Sequence, residues 1–416
     1  MKIDHVVVVG GGIAGMAMAA VLERIGCEVT LLERAPELGE VGAGVSVWRN
    51  AIRPMMRLGI GSALFANANP VHDHRVYDRD GTLIKALDYV SVANETGGPG
   101  FVVHRAELHQ AFWSQLTEKT SIRTGAKVVN IELGSPTRLT LEDGSFVHAD
   151  MVIGADGLHS VMRSVVVGAT APSYSGETCF RGIAPMHEGP TNQGCEVLGA
   201  GLRASYYPLS AGRTYWGVVM RAAEGAHVPV EKRRDFLLAR VQGWPRGVER
   251  LVAATAPQAI LQHDLFDRPP TRPWHRGNVV LIGDAAHPMT PHMGQGANMA
   301  IEDAVVLGRS IAQATSVSEA GERFERERFA RVRELTLLSR RWGRFLAGGN
   351  RVWSSRLRSS FYRWLPESRF MAGLQRQFEF DCGSLPVAGE SPDPERSRRP
   401  DTRRERQATR SADLDA

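Results

Sequence analysis

The segment Gly277–Asp303 has residue types and spacing that suit chemistry on a bound ring. The apolar run Asn278–Ile282 is long enough for a buried strand. Asp284 comes after it, which places a carboxylate where a strand opens into a crevice. A glycine-rich turn, Gly294–Gly296, precedes a helical pattern over Ala297–Gln313, whose start offers free backbone N–H groups and the positive end of a dipole. A carboxylate for a chain of hydroxyl groups, beside a helix start that faces an electron-rich ring, is typical of a flavin site.

The N-terminus has the pattern of a dinucleotide-binding unit. The valine-rich run Ile3–Val9 predicts a parallel-sheet strand, Gly10–Gly15 fits GxGxxG, and Met16–Ile25 predicts the helix that follows. Val29–Leu32 predicts the next strand, and Glu33 closes it at the distance where an acid takes the ribose hydroxyls. The first glycine permits the tight turn, the second lets the backbone approach a pyrophosphate, and the third allows close helix–strand packing. The unit indicates an adenine dinucleotide, either NAD or FAD.

Two further polar residues stand at predicted element boundaries. The predicted strand Asp150–Gly154 leads into Asp156, an acid before a helical pattern, which fits helix capping or a role at a bound cofactor. Arg105 opens the predicted helix Ala106–Thr117, where a cation is unfavourable for the helix dipole. That position therefore predicts an anionic neighbour for Arg105.

The segments 10–33, 156–163 and 283–303 resemble, in this order, the motifs of the single-component, p-hydroxybenzoate-hydroxylase-like FAD-dependent monooxygenases. The resemblance implies that NADH or NADPH binds transiently and reduces FAD. It further implies that O2 adds to the flavin as a C4a-hydroperoxide and that one oxygen atom hydroxylates an aromatic or heteroaromatic small molecule. The FAD contacts that it implies are Gly10, Gly12, Ala14, Gly15, Glu33, Arg34, Val45, Arg105, Asp156, Asp284, Pro291, Gly294, Gly296, Ala297 and Asn298.

Two alternatives to hydroxylation stay open on this scaffold. One is epoxidation of a prenylated or alkylated aromatic, and the other is a flavin-dependent dehydrogenase or reductase. The chain has no second glycine-rich strand–turn–helix unit for a stable NAD(P)H domain, and without a CxxC pair it is not a disulfide reductase.

The substrate-side residues resemble the urate-hydroxylase-like and salicylate-hydroxylase-like branch. In that branch an arginine and a tyrosine lie near the substrate, which carries over to Arg203 and Tyr215. The branch has an aspartate where this chain has His292, so urate itself is in question, and alkylquinolones and prenylated aromatics remain open. His292 or His287 can act as an acid or base near neutral pH, or either can be a loop histidine without a chemical role. Arg181 is a further pocket candidate.

The order of motifs predicts an α/β fold: a Rossmann-like FAD-binding domain, an inserted mixed β-sheet substrate domain and a C-terminal helical segment. The predicted boundaries are 1–170 and 273–320 for the discontinuous FAD-binding domain, 171–272 for the substrate domain, 321–386 for the C-terminal helices and 387–416 for a disordered tail.

The predicted substrate domain contains short runs rich in aromatic residues and valine, which indicate strands joined by turns. In one run, period two places Arg203, Ser205 and Tyr207 on one face and the alternate residues on the other. Either face can meet the flavin, so the sequence does not decide which of the two faces lines the pocket.

Composition limits the other functions of the chain. Fifty Lys+Arg against 45 Asp+Glu give a formal charge of +5, and neither a nucleic-acid partner nor a metal site is predicted. The four cysteines lie far apart, which argues against a disulfide framework and fits a reducing cytoplasm. No apolar run approaches the ~18 residues of a membrane span, and glycines interrupt the N-terminal apolar run, unlike a signal peptide. The oligomeric state is not predicted.

The segment 340–365 is basic and rich in aromatic residues. Seven arginines and no acid occur between Arg340 and Arg363, so the segment predicts contact with an anionic membrane or an acidic partner. The alternative, which is the commoner situation, is a helix whose apolar stripe packs on the protein with its arginines in water. The residues that recur at helical spacing are Trp353, Leu357, Phe361, Trp364 and Leu365.

Overall fold

The computed structural model describes residue 3 and residues 5–39, 43–348 and 352–386. The predicted disordered tail, 387–416, therefore lies outside the described residues. The strands are β1 His5–Val9, β2 Glu28–Leu32, β3 Gly44–Val47, β4 Pro70–Val71, β5 Asp73–Asp78, β6 Leu83–Asp88, β7 Gly100–His104, β8 Thr120–Arg123, β9 Val128–Glu132, β10 Thr137–Leu141, β11 Phe146–Ala149, β12 Met151–Gly154, β13 Ser173–Ala184, β14 Gln193–Leu198, β15 Leu202–Pro208, β16 Thr214–Arg221, β17 Leu261–Asp267, β18 His275–Arg276 and β19 Val279–Leu281. The α-helices are α1 Ile13–Arg24, α2 Arg49–Arg57, α3 Ser62–Ala66, α4 Tyr89–Thr96, α5 Arg105–Trp113, α6 Val161–Val166, α7 Arg233–Val241, α8 Val248–Ala253, α9 Gly296–Gln313, α10 Val317–Ala347, α11 Val352–Trp364 and α12 Glu367–Phe378.

The first and last motifs belong to one six-stranded sheet, in the order β18-β19-β12-β1-β2-β8. The central strand β1 runs parallel to β12 and β2, and β19 and β8 continue the parallel pairing outward. Val6–Val9 are all buried, as expected for a strand that is covered on both faces. This doubly covered sheet confirms the predicted Rossmann-like architecture.

The second large sheet is mixed and has seven strands, in the order β17-β13-β16-β15-β14-β5-β6. Five of its strands come from the predicted substrate domain, but β5 and β6 precede residue 171. The sequence patterns described above include no strand in that part of the chain. Its strands were missed because β5, DHRVYD, carries apolar residues at only two of its six positions. The predicted domain boundaries themselves remain a prediction.

The alternation in β15 is as predicted, and the structure decides which face meets the site. Ala204 and Tyr206 pack in a hydrophobic cluster with residues of α7 and α8. Arg203, Ser205 and Tyr207 line a cavity on the opposite side of the sheet. The two helices therefore cover one face and leave the other for the site.

The C-terminal helices join the two sheets. α10 has 31 residues and is therefore about 46 Å long, so it can pack on α9 and β18 and also reach β15. α11 and α12 follow and lie against β6 and α4. Together they cover the side of the seven-stranded sheet that carries Arg203.

None of the helices that the structure describes has the length and apolarity that crossing a membrane requires. Cys27, Cys179, Cys195 and Cys382 are all buried and free of disulfide bonds.

Candidate active site

A groove runs past the ends of β1 and β2, and the glycine turn forms its floor. Gly10 has a φ of +107°, and a Cβ there would lie 2.4 Å from the carbonyl oxygen of Ala155. A Cβ on Gly15 would lie 1.8 Å from the carbonyl oxygen of Gly10. A side chain at either position would displace the backbone. Gly12, the N-cap of α1, has no side-chain cap and lines the groove, so the helix N-terminus is available to an anion.

Glu33 and His109 hold the glycine turn in the first part of the groove, which encloses about 420 Å³. The Glu33 carboxylate accepts from the N–H of Gly11 at 2.6 Å and from the N–H of Ala35 at 2.8 Å. Nε2 of the buried His109 is 2.6 Å from the carbonyl oxygen of Gly11. The sequence analysis missed His109, because nothing local links it to a partner 98 residues away.

Asp284 and Arg105 interact electrostatically in the second part of the groove, which encloses about 350 Å³. Asp284 is exposed and lines the groove; desolvation by the surrounding protein raises its pKa, while His287 and Arg105 act in the other direction. Desolvation lowers the pKa of Arg105, and Asp284 opposes that shift. Asp284 is thus an anionic neighbour of the kind predicted for Arg105. The other predicted FAD contacts that line this part are Gly12, Ala14, Val45, Pro291, Gly294, Gly296 and Ala297.

Asn298 fixes the loop that leads into α9. Its Oδ1 accepts from the N–H of Trp48 at 2.7 Å, and its Nδ2 donates to the carbonyl oxygens of Ser46 and Gly294, both at 2.9 Å. The side chain is fully buried, so its hydrogen bonds go to the protein. α9 begins at Gly296 without a side-chain cap, and this residue lines the groove. The helix start that the sequence predicted to face a ring does open onto the groove.

Five predicted FAD contacts do not line the groove. Gly10 and Gly15 shape the glycine turn and Asn298 fixes the loop before α9, which leaves Asp156 and Arg34. The Asp156 carboxylate accepts from Oγ of Ser160 at 2.5 Å and from the N–H of Val161 at 2.7 Å. Burial raises the pKa of Asp156, and these hydrogen bonds act in the other direction. Asp156 therefore caps α6 and holds the adjacent Gly157, which does line the groove. Arg34 is exposed beside Glu33.

His287 lies in a buried ion cluster under the Gly-Asp turn, outside both the groove and the substrate cavity. Its Nε2 is 2.5 Å from Oδ2 of Asp303, which also accepts from the N–H of Gly283 at 2.9 Å. The fully buried Arg328 donates to Oδ1 of Asp303 at 2.8 Å and also donates to Glu302. The cluster ties the end of β19 to α9 and α10. The structure does not bring His287 to a substrate.

A cavity of about 200 Å³ lies beyond the groove, between the seven-stranded sheet and the C-terminal helices. Its polar wall and its apolar wall come from different elements. The polar residues include His74, Glu196, Arg203, Ser205 and His292, with Arg181 at the end next to the groove. The apolar residues include Leu87, Tyr89, Leu346, Tyr362, Leu374 and Phe378.

Arg203 and His292 are the centre of the polar wall. Nη2 of Arg203 is 2.6 Å from Nδ1 of His292. Since a guanidinium only donates, Nδ1 accepts and Nε2 carries the proton, which points to Glu177 at 3.2 Å. Burial lowers the pKa of His292, Arg203 lowers it further and Glu177 opposes, so the imidazole is neutral. Nε of Arg203 is 3.9 Å from Glu196, and its buried Nη1 has no hydrogen-bond partner among the described residues.

Tyr215 and Arg181 stand where the groove meets the cavity, and both residues line both spaces. The Tyr215 ring packs so closely on Gly44 that a Cβ there would lie 2.3 Å from it. Burial raises the pKa of Tyr215 to about 12, with Arg181 acting in the other direction, so the phenol is protonated at neutral pH. The groove and the cavity therefore meet at a protein wall of two polar side chains.

The hydrogen-bonding groups along the groove fit FAD. The glycine turn and the start of α1 suit a pyrophosphate, Asp284 suits ribityl hydroxyls, and the start of α9 suits an electron-rich ring. The fold and the site thus define a flavoprotein with one dinucleotide-binding fold and a substrate cavity at the ring end of its groove.

Comparison with known proteins shows the family. The chain belongs to the family described as FAD binding domain, whose model matches residues 4–338. It is 33% identical to the aurachin C monooxygenase/isomerase of Stigmatella aurantiaca, over 90% of this chain and 98% of that protein. It is 32% identical to the 2-heptyl-3-hydroxy-4(1H)-quinolone synthase of Pseudomonas aeruginosa, over 90% and 97% of the two chains. The crystal structure of Klebsiella pneumoniae HpxO complexed with FAD and uric acid is 29% identical, with a TM-score of 0.84 and coverage of 90% and 96%.

These comparisons confirm the predicted class, cofactor and reaction. The protein is an FAD-dependent, NAD(P)H-consuming monooxygenase that adds one atom of O2 to an aromatic or heteroaromatic small molecule. Bound FAD supplies hydride acceptance from NAD(P)H and the activation of O2. The protein supplies the binding, the orientation and the exclusion of water.

Proposed function

We propose that the substrate is an electron-rich heteroaromatic with an OH, NH or carbonyl group at one end and an alkyl or prenyl substituent at the other. The observation that carries the proposal is Nη1 of Arg203. This nitrogen is buried and has no partner among the described residues, and Arg203 lines a cavity whose other wall is apolar. A buried donor without a partner costs about 1–3 kcal/mol, and a substrate oxygen removes that cost.

A second donor in the same cavity supports a polar group on the substrate. Nε1 of Trp48 is buried without a partner among the described residues, and Trp48 lines the cavity. Its ring is held in place by stacking on Phe378, with centroids 4.8 Å apart and planes at 15°. An indole N–H only donates, so Trp48 and Arg203 both select an acceptor.

The charges of the polar wall favour a substrate that arrives neutral. Desolvation acts to raise the pKa of Glu196, but His74 and Arg203 outweigh it and the pKa is lowered. His292 and Arg203 likewise outweigh desolvation at Glu177. Both carboxylates are therefore ionised at neutral pH, and in the cavity Glu196 offsets the charge of Arg203. A neutral ring whose oxygen accepts a hydrogen bond from Arg203 therefore suits this wall.

The apolar wall favours a hydrocarbon substituent. Apolar surface comes from three different elements to the side of the cavity opposite Arg203: Leu87 of β6, Leu346 of α10, and Leu374 and Phe378 of α12. Each CH2 group that is buried there contributes about 0.8 kcal/mol. This supports an alkylated ring, and the Pseudomonas aeruginosa relative carries the name of a synthase for a quinolone with a heptyl chain. Uric acid, present in the HpxO structure, has no such substituent.

We further propose distinct roles for the predicted site residues. Glu33 binds the adenosine ribose, Arg105 and the start of α1 bind the pyrophosphate, and Asp284 binds the ribityl hydroxyls. Tyr215 orients the substrate at the ring. His292 is a positioning residue, because its neutral Nδ1 holds Arg203 Nη2 in place and leaves Nη1 for the substrate.

The test is a substrate series with one change at a time: 2-heptyl-4-quinolone, 4-quinolone without the chain, and uric acid. The heptylquinolone is expected to stimulate NAD(P)H oxidation and O2 consumption and to give a product heavier by one oxygen atom. Loss of the chain is expected to raise KM by at least about 100-fold. Equal turnover of all three compounds, or turnover of uric acid alone, would refute the proposal.

We also propose a cytoplasmic location with peripheral membrane contact through residues 340–365. The basic composition of this segment supports the contact.

A further inference from the structure

Helix α11 turns its apolar stripe away from the protein. The commoner alternative for this segment, a stripe that packs on the protein, is therefore wrong for these residues. Spacings of four, four and three residues place the stripe on one side of the helix. The exposed residues are Trp353 at 59%, Leu357 at 63%, Phe361 at 52% and Trp364 at 82%. The opposite side is buried and consists of Ser355, Arg358, Ser359 and Tyr362.

Specific contacts fix α11 in this orientation. Nη1 of the buried Arg358 donates to the carbonyl oxygens of Gly199 at 3.0 Å and Leu346 at 2.8 Å. Nζ of Lys85 donates to the carbonyl oxygen of Leu365 at 2.7 Å, where a cation also suits the C-terminal end of the helix dipole. These contacts therefore keep the apolar stripe of the helix facing away from the protein.

The charges around the stripe identify its partner as an anionic lipid surface. Arg341, Arg344, Arg356 and Arg363 are exposed, and residues 340–366 contain no acid. Tryptophan flanked by arginine is typical of helices that lie in the headgroup region of a bilayer. A second copy of the chain would place the same arginines opposite each other in a two-fold contact, which like charges disfavour.

The buried side of the same helix borders the substrate cavity. Tyr362 of α11 lines the cavity, together with Trp342 and Leu346 of α10 and Phe370 of α12. Tyr362 meets Trp342 edge-on, with ring centroids 5.5 Å apart. One helix layer therefore separates the apolar wall of the cavity from the exposed stripe.

We propose that α11 docks flat on an anionic lipid surface and that a lipophilic substrate passes from the lipid into the cavity at the edge of this helix. The docking depends only on the exposed stripe and the arginines. The transfer also rests on the proposed alkylated substrate. Burial of the stripe in the headgroup region would remove the exposed apolar surface from water and bring the cavity next to the phase in which such a substrate dissolves.

Docking is tested by flotation of the FAD-loaded enzyme with phosphatidylcholine vesicles, with and without about 30% phosphatidylglycerol. The wild type is expected to float with the anionic vesicles at least tenfold more than with the neutral ones, and less at about 0.5 M salt. The variant Leu357→Ser/Trp364→Ser changes two exposed side chains that do not line the cavity, and is expected to lose at least tenfold in binding. The matched control is Phe146→Ser, another exposed aromatic at 54%, on β11.

Three results would overturn docking: a wild type that does not float, a double variant that floats like the wild type, or an equal loss in Phe146→Ser. A double variant that dissociates a dimer while vesicle binding is absent would assign the stripe to a second copy instead.

Transfer is tested with 2-heptyl-4-quinolone dissolved in the same vesicles. The double variant is expected to raise KM for this substrate at least fivefold, with kcat and the kinetics of 4-quinolone in buffer unchanged. An unchanged KM overturns the transfer route. If no quinolone stimulates turnover, the proposed function fails, while the flotation result stands by itself.

Discussion

Replacing Arg203 with methionine removes the guanidinium and keeps most of the aliphatic volume of the side chain. The variant loses the 2.6 Å hydrogen bond to Nδ1 of His292, the attraction to Glu196 across 3.9 Å, and the free Nη1 donor. The groove is lined by other residues, so FAD binding is expected to survive. The change therefore separates the substrate cavity from the cofactor groove.

The kinetic magnitude follows from the lost donor. A hydrogen bond from a charged group in a buried site is worth about 1.5–3 kcal/mol. At 1.36 kcal/mol per tenfold, kcat/KM is expected to fall by about 10- to 150-fold. At an effective dielectric of about 20, the attraction over 3.9 Å amounts to about 4 kcal/mol. Its loss raises the pKa of Glu196 and lowers the stability of the variant.

The same variant has a pH signature. Burial and the charge of Arg203 lower the pKa of His292, and Glu177 and Glu196 oppose them. Without Arg203 the pKa of His292 rises, so the acid limb of the kcat/KM profile is expected to move to higher pH. A merely structural role for Arg203 would not produce that shift.

The assay is substrate-stimulated NAD(P)H oxidation at matched flavin content, measured across pH. The control is Arg213→Met, which removes a partly exposed arginine from the turn between β15 and β16; this arginine pairs with Glu107 of α5 at 2.7 Å. The control is expected to stay within about threefold of the wild type. If Arg203→Met retains its flavin and also stays within that range, the reasoning about the polar wall is wrong.

Four further outcomes are expected. Gly15→Ala, whose Cβ would lie 1.8 Å from the Gly10 carbonyl oxygen, is expected to abolish FAD-bound protein in flavin absorbance. Asp284→Ala is expected to weaken FAD binding by about 10- to 150-fold in a fluorescence titration, with the fold intact by circular dichroism. Arg328→Met removes the fully buried cation that Glu302 and Asp303 share, and denaturant unfolding is expected to show a loss of about 3–5 kcal/mol. Because burial lowers the pKa of His292 in the folded state, its contribution to stability is complete above the ordinary value of 6.5 and falls as pH drops below that value; unfolding of wild type and His292→Gln between about pH 7 and 5 measures the difference.

The cofactor half of the fold could be predicted because its chemistry is local. The glycine turn from Gly10, the acid at Glu33 and the helix start at Gly296 each lie within one strand–turn–helix unit, where spacing alone specifies the backbone. Parallel strands then bring their carboxyl ends to one edge of the sheet. Order along the chain was therefore enough to place the two units beside each other.

The parts that sequence reasoning missed depend on distant partners. His109 supports the glycine turn from another helix, and His287 contacts an aspartate in a buried cluster instead of a substrate. Strand β5 of the second sheet has apolar residues at only two of its six positions, and its pairing with the distant strand β14 stabilises it. Spacing carries no information about which of several polar residues meet in space.

The loop from Pro291 to Asn298 explains why the cofactor and the substrate are positioned together. Its end forms the N-terminus of α9 in the groove, and its start carries His292 into the polar wall of the cavity. Asn298 binds the loop to the backbone of Ser46 and Trp48, and Trp48 also lines the cavity. A displacement of this loop would therefore move the helix dipole, the Arg203 hydrogen bond and the Trp48 donor at once. For that reason we expect that a substitution such as Asn298→Ala impairs flavin binding and substrate-coupled turnover together, in contrast to Arg203→Met, which impairs only the second.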